Sequence, residues 1–165
     1  MEKHLKLSEN LIYCIDADAL INIKKHYPKD IDLFSPIWNK LEDMVKNDTL
    51  ISSIEVFEEI NDATDKNDFL LQWSTKNKNM FRGIDDNCQK EEFENVKSKY
   101  DKDYWDKESA KGPWADPWLI ALSICKKATL VTSEKNAQNH IPYIADCFKI
   151  HSMNLLDFFR KIKIK

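Results

Sequence analysis

Acidic residues follow two short apolar runs in this chain, at the point where each run ends. Asp16 comes directly after residues 11–15, and Glu134 lies just past residues 129–131. An unbroken apolar run closed by polar residues is typical of a strand buried on both faces, as in a parallel sheet. Ligands of open α/β sheets bind beyond the carboxyl ends of such strands. The two carboxylates are therefore candidates for chemistry at one edge of a sheet.

A predicted helix contributes a third carboxylate. A capping box, with Ser52 as N-cap and Glu55 three residues on, predicts that this helix starts after a short strand at residues 50–52. At about 3.6 residues per turn, Glu59 lies at the edge of the apolar face, whereas Glu58 points nearly opposite. If one glutamate of this helix faces the sheet edge, it is Glu59. The alternative is that all of them face solvent.

Asp116 and Pro117 open a helix that is apolar nearly all round. The pair suits the N-cap and first helical position, and such a helix is buried on both sides. Asp116 would then lie at the N-terminus of a central helix, where the helix dipole favours a carboxylate. Capping alone could explain Asp116. It could also explain Asp16 or Asp18, which precede a helix predicted at residues 19–25.

Together these positions predict a site for a divalent cation. Four carboxylates in one cleft repel one another and would have raised pKa values unless cations bind. Oxygen-only ligands suit Mg²⁺ or Mn²⁺ rather than zinc. The matching chemistry is hydrolysis of a phosphodiester by a metal-activated water. The predicted ligands, which would also be the catalytic residues, are Asp16, Glu59, Asp116 and Glu134. Asp18 and Thr132 would give nearby polar support.

The composition argues against several other classes of protein. The chain has 165 residues, of which 42% are hydrophobic, enough for one sizeable core. Its net charge of −3 is not that of a typical nucleic-acid binder, although active-site carboxylates pull the balance negative. Two glycines are too few for a glycine-rich phosphate loop. The polar first nine residues predict no signal peptide, and no apolar run is long enough to cross a membrane.

The four cysteines are scattered without C-x-x-C spacing. Three of them lie within apolar patterns, so we expect reduced, buried thiols and a cytoplasmic location.

The predicted strands and helices alternate along the chain. This order favours an α/β fold, a three-layer α/β/α sandwich with a short, mainly parallel central sheet. We expect a single domain over residues 1–165. Helices predicted at residues 68–81 and 88–105 form a helical excursion at about residues 67–106. The last strand is predicted at residues 148–150.

The order of these motifs resembles that of the PIN-domain nucleases, from residue 11 to about residue 159. In that family the first strand ends in Asp-x-[Asn/Asp]-x-Leu, as at residues 16–20, and a glutamate lies mid-helix after an Ile-Ser strand, as Glu59 does. A third acidic residue opens a helix, as in Asp-Pro-Trp-Leu-Ile-Ala at residues 116–121, a box similar to one prokaryotic branch of the superfamily. The fourth follows Leu-Val-Thr-x, where Glu134 replaces the more usual aspartate.

The resemblance implies a Mg²⁺- or Mn²⁺-dependent endoribonuclease, often the toxin of a toxin–antitoxin pair of the VapC kind. It further implies an RNA substrate, a small antitoxin protein that occupies the cleft and, in many members, a homodimer. The excursion at about residues 67–106 is longer than in minimal members.

Two other functions stay open. An inactive PIN-like module would keep the fold and bind RNA or protein, but an unused cluster of carboxylates would be a destabilising burden. A haloacid-dehalogenase-like phosphatase begins with an apolar strand and Asp-x-Asp-x-[Thr/Val]. Asp16 and Asp18 match that motif, but Leu20 occupies the Thr/Val position, and the lysine and late acidic pair of that class have no counterpart.

Overall fold

A computed structural model describes residues 11–164 and contains a five-stranded, all-parallel sheet. The expectation of no signal peptide falls on residues outside this range. The sheet order is β3-β2-β1-β4-β5. The strands are β1 (Tyr13–Ile15), β2 (Leu50–Ser53), β3 (Phe81–Arg82), β4 (Thr129–Val131) and β5 (Ser152–Met153). The helices are α1 (Ala17–His26), α2 (Ser35–Lys46), α3 (Ile54–Ala63), α4 (Phe69–Lys76), α5 (Asn87–Lys97), α6 (Lys102–Ser109), α7 (Asp116–Lys126), α8 (Ile141–Asp146) and α9 (Leu155–Ile162).

The predicted α/β class with a central parallel sheet is confirmed. β1 lies in the middle of the sheet, paired in parallel with β2 on one side and β4 on the other. All three of its residues are buried, which explains its unbroken apolar sequence. The mostly apolar helix α7 contacts β1, β2 and β4 and forms part of the same core.

Two of the predicted helix caps are wrong by one residue. Ser52 belongs to β2, where its hydroxyl donates to the carbonyl oxygen of Ile15 at 2.6 Å. Ser53 is the N-cap of α3 and accepts from the amide of Glu55. Asp116 is the first residue of α7, after Ala115 as N-cap, so it does not occupy the capping position itself. The carboxylate of Asp116 is therefore available to the sheet edge rather than used by its own helix.

The helical excursion differs from its prediction in two ways. Instead of one helix over residues 68–81, α4 is followed by a 3₁₀ turn and by β3, which extends the sheet beside β2. Instead of one helix over residues 88–105, α5 and α6 are separated at Asp101. The amide of Asp101 donates to Oδ1 of Asn139 at 2.9 Å, and Asn139 Nδ2 donates back to Asp101 Oδ2 at 3.0 Å. This break depends on a residue 38 positions away.

The predicted strand at residues 148–150 is wrong, and β5 lies slightly later. Lys149 has a left-handed backbone with φ of 58°, and the Ile150 amide donates to the carbonyl oxygen of Ala145. These residues therefore form the turn that ends α8 rather than a strand.

The expectation of four reduced thiols is wrong for two of them. Cys88 and Cys125 form a disulfide that joins α5 to α7, with Cα atoms 6.1 Å apart. Cys14 is free and buried, and Cys147 is free and exposed. Because disulfides persist mainly in oxidising compartments, the cysteines no longer support a cytoplasmic location.

Over residues 11–164, each helix is too short or too polar to cross a membrane.

Candidate active site

The predicted acidic residues lie at the carboxyl edge of the sheet, around the middle strands. β1 and β4 pair with Ile15 beside Val131, and Asp16 and Thr132 follow directly. The sheet order reverses here, because β2 and β3 lie on one side of β1 and β4 and β5 on the other. Such a switch point is where open α/β sheets bind ligands.

Asp16 is buried at this edge, with only 3% of its surface exposed. It is the N-cap of α1, since Oδ1 accepts from the amide of Ala19 at 2.6 Å. Its Oδ2 accepts from the hydroxyl of Thr132, and the same hydroxyl oxygen accepts from the amide of Glu134 at 3.1 Å. Thr132 therefore links Asp16 to the backbone of Glu134.

Glu59 extends from α3 toward the start of α7. Its Oε1 accepts from the amide of Ala115 at 2.5 Å, directly before Asp116. Glu58, on the same helix, is exposed. The helical spacing predicted this difference between the two glutamates correctly.

Glu134 is held by the helix that follows it. Its Oε2 accepts from the amide of Ile141, the first residue of α8, at 2.8 Å. Burial raises the pKa of Glu134, and the Ile141 amide and the nearby His140, at the N-cap of α8, only partly offset this. The loop between β4 and α8 is thus folded back onto the sheet edge.

A cleft of about 430 Å³ brings these elements together. Its lining includes Asp18, Glu59, Asp116 and Glu134. Asp16 does not line it but lies beneath, bonded to Thr132. The four predicted ligands and both supporting residues therefore occur in one region, with Asp16 the most deeply buried of the acidic residues around it.

Burial and mutual repulsion raise the pKa values of the acidic groups. Burial raises the pKa of Asp16 to about 8, and repulsion from Asp18 and Glu134 adds to this. Burial raises the pKa of Glu59 to about 7, again with repulsion from Asp18 and Glu134. Burial, followed by the charges of Glu134 and Asp16, raises the pKa of Asp116 well above its usual value. The site thus disfavours the ionised carboxylates unless positive charge is supplied.

The donor set has the chemistry that Mg²⁺ and Mn²⁺ require, since all its ligands would be oxygens. A carboxylate offers about four lone-pair sites, so the bonds from Ala19 and Thr132 leave acceptor capacity on Asp16. Over residues 11–164, however, no three acidic, histidine or cysteine side chains are close enough together to hold one ion. The residues therefore fit the ion by chemistry, and side-chain movement is needed to gather them around it.

Several residues beside the cleft were not identified from the sequence. Tyr104 and Trp114 line it, and Tyr100 lies behind them, 7% exposed. Within the described residues, the hydroxyl of Tyr100 and Nδ1 of His140 are buried without a hydrogen-bond partner. The helical spacing of Tyr100 and Tyr104 was visible in the sequence, but it could not show which structure their shared face contacts.

Comparison with known proteins supports the fold. Residues 13–165 match the model of a family described as a domain of unknown function, DUF4411. No curated protein sequence matches significantly. Among solved structures, a chain of the crystal structure of VapBC2 from Rickettsia felis, bound to a DNA fragment from their promoter, aligns with a TM-score of 0.51 and 18% identity. The alignment covers 87% of this chain and 98% of that one, so the two share a fold.

Proposed function

This chain belongs to the DUF4411 family, and we propose that it is a Mg²⁺- or Mn²⁺-dependent endoribonuclease with a PIN-like active site. The observation that carries this proposal is the acidic cleft, into which α1, α3, α7 and the loop after β4 bring carboxylates, with Asp16 buried beneath it. Buried carboxylates that repel one another are costly to keep ionised. A cation-dependent reaction gives them a function.

The residues that would hold the metal are Asp16, Glu59, Asp116 and Glu134, with Thr132 and Asp18 in support. A bound Mg²⁺ or Mn²⁺ would lower the pKa of an attacking water and neutralise charge that develops on the phosphodiester. Three of the carboxylates accept hydrogen bonds from protein donors, which hold them near the cleft before side-chain movement gathers them around an ion. Ala19 and Thr132 donate to Asp16, the Ala115 amide donates to Glu59, and the Ile141 amide donates to Glu134.

We further propose that the protein is the toxin of a toxin–antitoxin pair, silenced by a small protein that occupies the cleft. The fold shared with a chain of VapBC2 supports this, together with the resemblance of the motifs to those of toxins of the VapC kind. We propose one domain for the chain and place its action on RNA in the cytoplasm, where the Cys88–Cys125 disulfide would be open to reduction. A homodimer is part of the same hypothesis.

Cleavage of RNA tests the proposed chemistry. Asp16→Asn and Asp116→Asn should each lower the rate of Mg²⁺- or Mn²⁺-dependent cleavage by at least about 100-fold, as expected when one preorganised charged group is lost. Glu59→Gln should show a similar loss, whereas the matched Glu58→Gln on the exposed side of α3 should cleave normally. Chelation by EDTA should abolish cleavage in all active forms.

Other outcomes would select the competing functions. RNA binding without cleavage by the wild type, in either metal, would indicate an inactive module. Hydrolysis of a small phosphate ester that Asp16→Asn abolishes, with RNA left intact, would indicate a phosphatase. Equal cleavage by the wild type and both Asn variants would rule out the proposed site.

A further inference from the structure

An aromatic cluster forms one wall of the acidic cleft. It consists of Tyr100, Tyr104, Trp105 and Trp114, and we call it the aromatic wall. The cleft lining includes Tyr104 and Trp114 from this wall together with Glu59, Asp116 and Glu134. Two members of the wall and three of the predicted ligands therefore face the same space.

Tyr104 is unusual for the helix on which it lies. α6 contains mainly charged residues, and none of its eight residues is buried. Tyr104 and Trp105 are half-buried and pack against the edge of the core, and Tyr104 also lines the cleft. A partly exposed tyrosine at the lining of a cleft offers a flat apolar surface to a ligand.

The ring of Tyr104 is held by the residues behind it. It stacks on Tyr100, with ring centroids 6.0 Å apart and an interplanar angle of 12°. Tyr100 is buried and packs edge-on against Trp114 and Trp105, at 5.3 Å and 5.4 Å. The exposed ring therefore belongs to a packed stack, and little conformational freedom is left to lose when a ligand binds.

The surroundings identify the chemistry of that ligand. The cleft places the ring of Tyr104 beside carboxylates suited to a metal-bound phosphate, and Lys111, ion-paired with Glu108 at 3.1 Å, also lies at its lining. A nucleobase next to a phosphodiester combines these two properties. The base must be unpaired, because the bases of a duplex already stack on each other and cannot offer a face to Tyr104. The cleft volume of about 430 Å³ lies within the range of small-ligand sites.

We propose that Tyr104 is the stacking platform for an unpaired base of the RNA strand, adjacent to the phosphodiester that is cleaved. This inference rests on the proposed nuclease function and gives the active site a preference for single-stranded substrate. Tyr100, Trp105 and Trp114 position the platform.

Binding of a fluorescently labelled, single-stranded eight-nucleotide RNA tests this role. Ca²⁺ replaces the catalytic metal, and a gel checks afterwards that the RNA is intact. Removal of one base–aromatic stack weakens binding by about 5- to 150-fold, so we expect Tyr104→Leu to raise Kd by that factor. Tyr104→Phe keeps the ring face and should stay within about 3-fold of the wild type. Tyr143→Leu, at an exposed tyrosine of α8, should have no effect.

An abasic RNA separates stacking from general damage to the site. When every base is removed, the wild type should lose affinity, and Tyr104→Leu should then bind as the wild type does. Equal Kd values of the wild type and Tyr104→Leu for the intact strand would overturn the inference. The inference would also be overturned if Tyr104→Leu weakened binding of the abasic strand as much as binding of the intact strand. Binding of an RNA duplex as tightly as the single strand, or no binding of RNA by the wild type, would overturn it too.

Cleavage assays on the same preparations keep this inference separate from the proposed function. Metal-dependent cleavage together with affinity that does not depend on Tyr104 would refute the platform alone. Affinity that depends on Tyr104, with no cleavage in Mg²⁺ or Mn²⁺, would refute the nuclease and leave the platform as part of a binding site. Thermal unfolding of Tyr104→Leu confirms that the variant is folded.

Discussion

Asp16 combines two roles that its position in the sequence allowed as alternatives. It caps α1 by accepting from the amide of Ala19, and it also lies beneath the acidic cleft, where it accepts from the hydroxyl of Thr132. The two roles support each other, because the cap holds the carboxylate at the carboxyl end of β1. The same bonds partly offset a large cost of burial, which still raises the pKa of Asp16 to about 8. Capping therefore does not compete with a functional role at this position.

Glu59 allows a pH-dependent test of this electrostatic arrangement in metal-free protein. Its pKa is raised to about 7 in the folded state, compared with about 4.3 in an unfolded chain. A group of this kind contributes stability that is fully present below about pH 4 and lost as the pH rises through about 7. The wild type should therefore lose stability relative to Glu59→Gln between pH 5 and pH 8, as measured by thermal unfolding.

Glu58→Gln is the matched control for this measurement, since Glu58 lies on the exposed side of the same helix. Addition of Mg²⁺ at pH 8 should stabilise the wild type more than Glu59→Gln. If the difference in stability between the wild type and Glu59→Gln is constant from pH 5 to pH 8, the pKa of Glu59 is not raised.

The helix α6 is placed over the cleft by an anchor outside its own sequence. Asn139, in the loop after β4, accepts from the amide of Asp101 and donates to its carboxylate. The same loop carries Glu134. One pair of residues therefore ties the start of α6, and with it the aromatic wall, to the loop of a predicted ligand.

Asn139 should be important for stability. It is buried and has a left-handed backbone, with φ of 67°. Asn139→Ala loses both hydrogen bonds and places an ordinary L-residue in this conformation, so it should lower the free energy of unfolding by about 1–3 kcal/mol. Asn139→Gly loses the bonds without the backbone penalty and should cost less. Urea unfolding measures both.

Gln138→Ala is the control for the anchor. Gln138 also donates to Asp101 but is exposed, and its loss should change stability by at most about 0.5 kcal/mol. If Asn139→Ala lowers the free energy of unfolding by no more than Gln138→Ala does, the anchor does not hold α6.

In the molecule as a whole, the sheet order creates the site, and the disulfide joins the start of α5 to the end of α7. β1 and β4 are neighbours although more than a hundred residues separate them, and their carboxyl ends meet at the switch point. The disulfide joins α5, which leads into the aromatic wall, to α7, which begins at Asp116. Its loop spans 37 residues, and closing a loop of that length stabilises a protein by about 4 kcal/mol in the chain-entropy model.

Removal of the disulfide should therefore reduce global stability. Cys88→Ser should lower the free energy of unfolding in oxidised protein by about 2–4 kcal/mol. Addition of a thiol reductant should lower the free energy of unfolding of the wild type by a similar amount. Cys147→Ser, at the exposed free cysteine, should stay within about 0.5 kcal/mol of the wild type. A thiol assay of the unfolded, oxidised wild type should detect two free thiols, whereas four would show that the bond does not form.

The sequence by itself determined the fold class, the strand β1 and the identity of the acidic residues at the sheet edge. These depend on local patterns, since a fully buried strand must be apolar and a helix repeats about every 3.6 residues. For that reason Glu59 could be distinguished from Glu58 before the fold was known.

Only the tertiary structure decided which of these elements meet, and where the weaker elements begin and end. The two-residue strand β3 exists because β2 offers it a partner, and α6 begins after its N-cap Asp101 because Asn139 holds that residue. The disulfide and the aromatic wall likewise join residues that are distant in the sequence. Contacts of this kind leave no periodic pattern, because their energy comes from the partner and not from the neighbours along the chain.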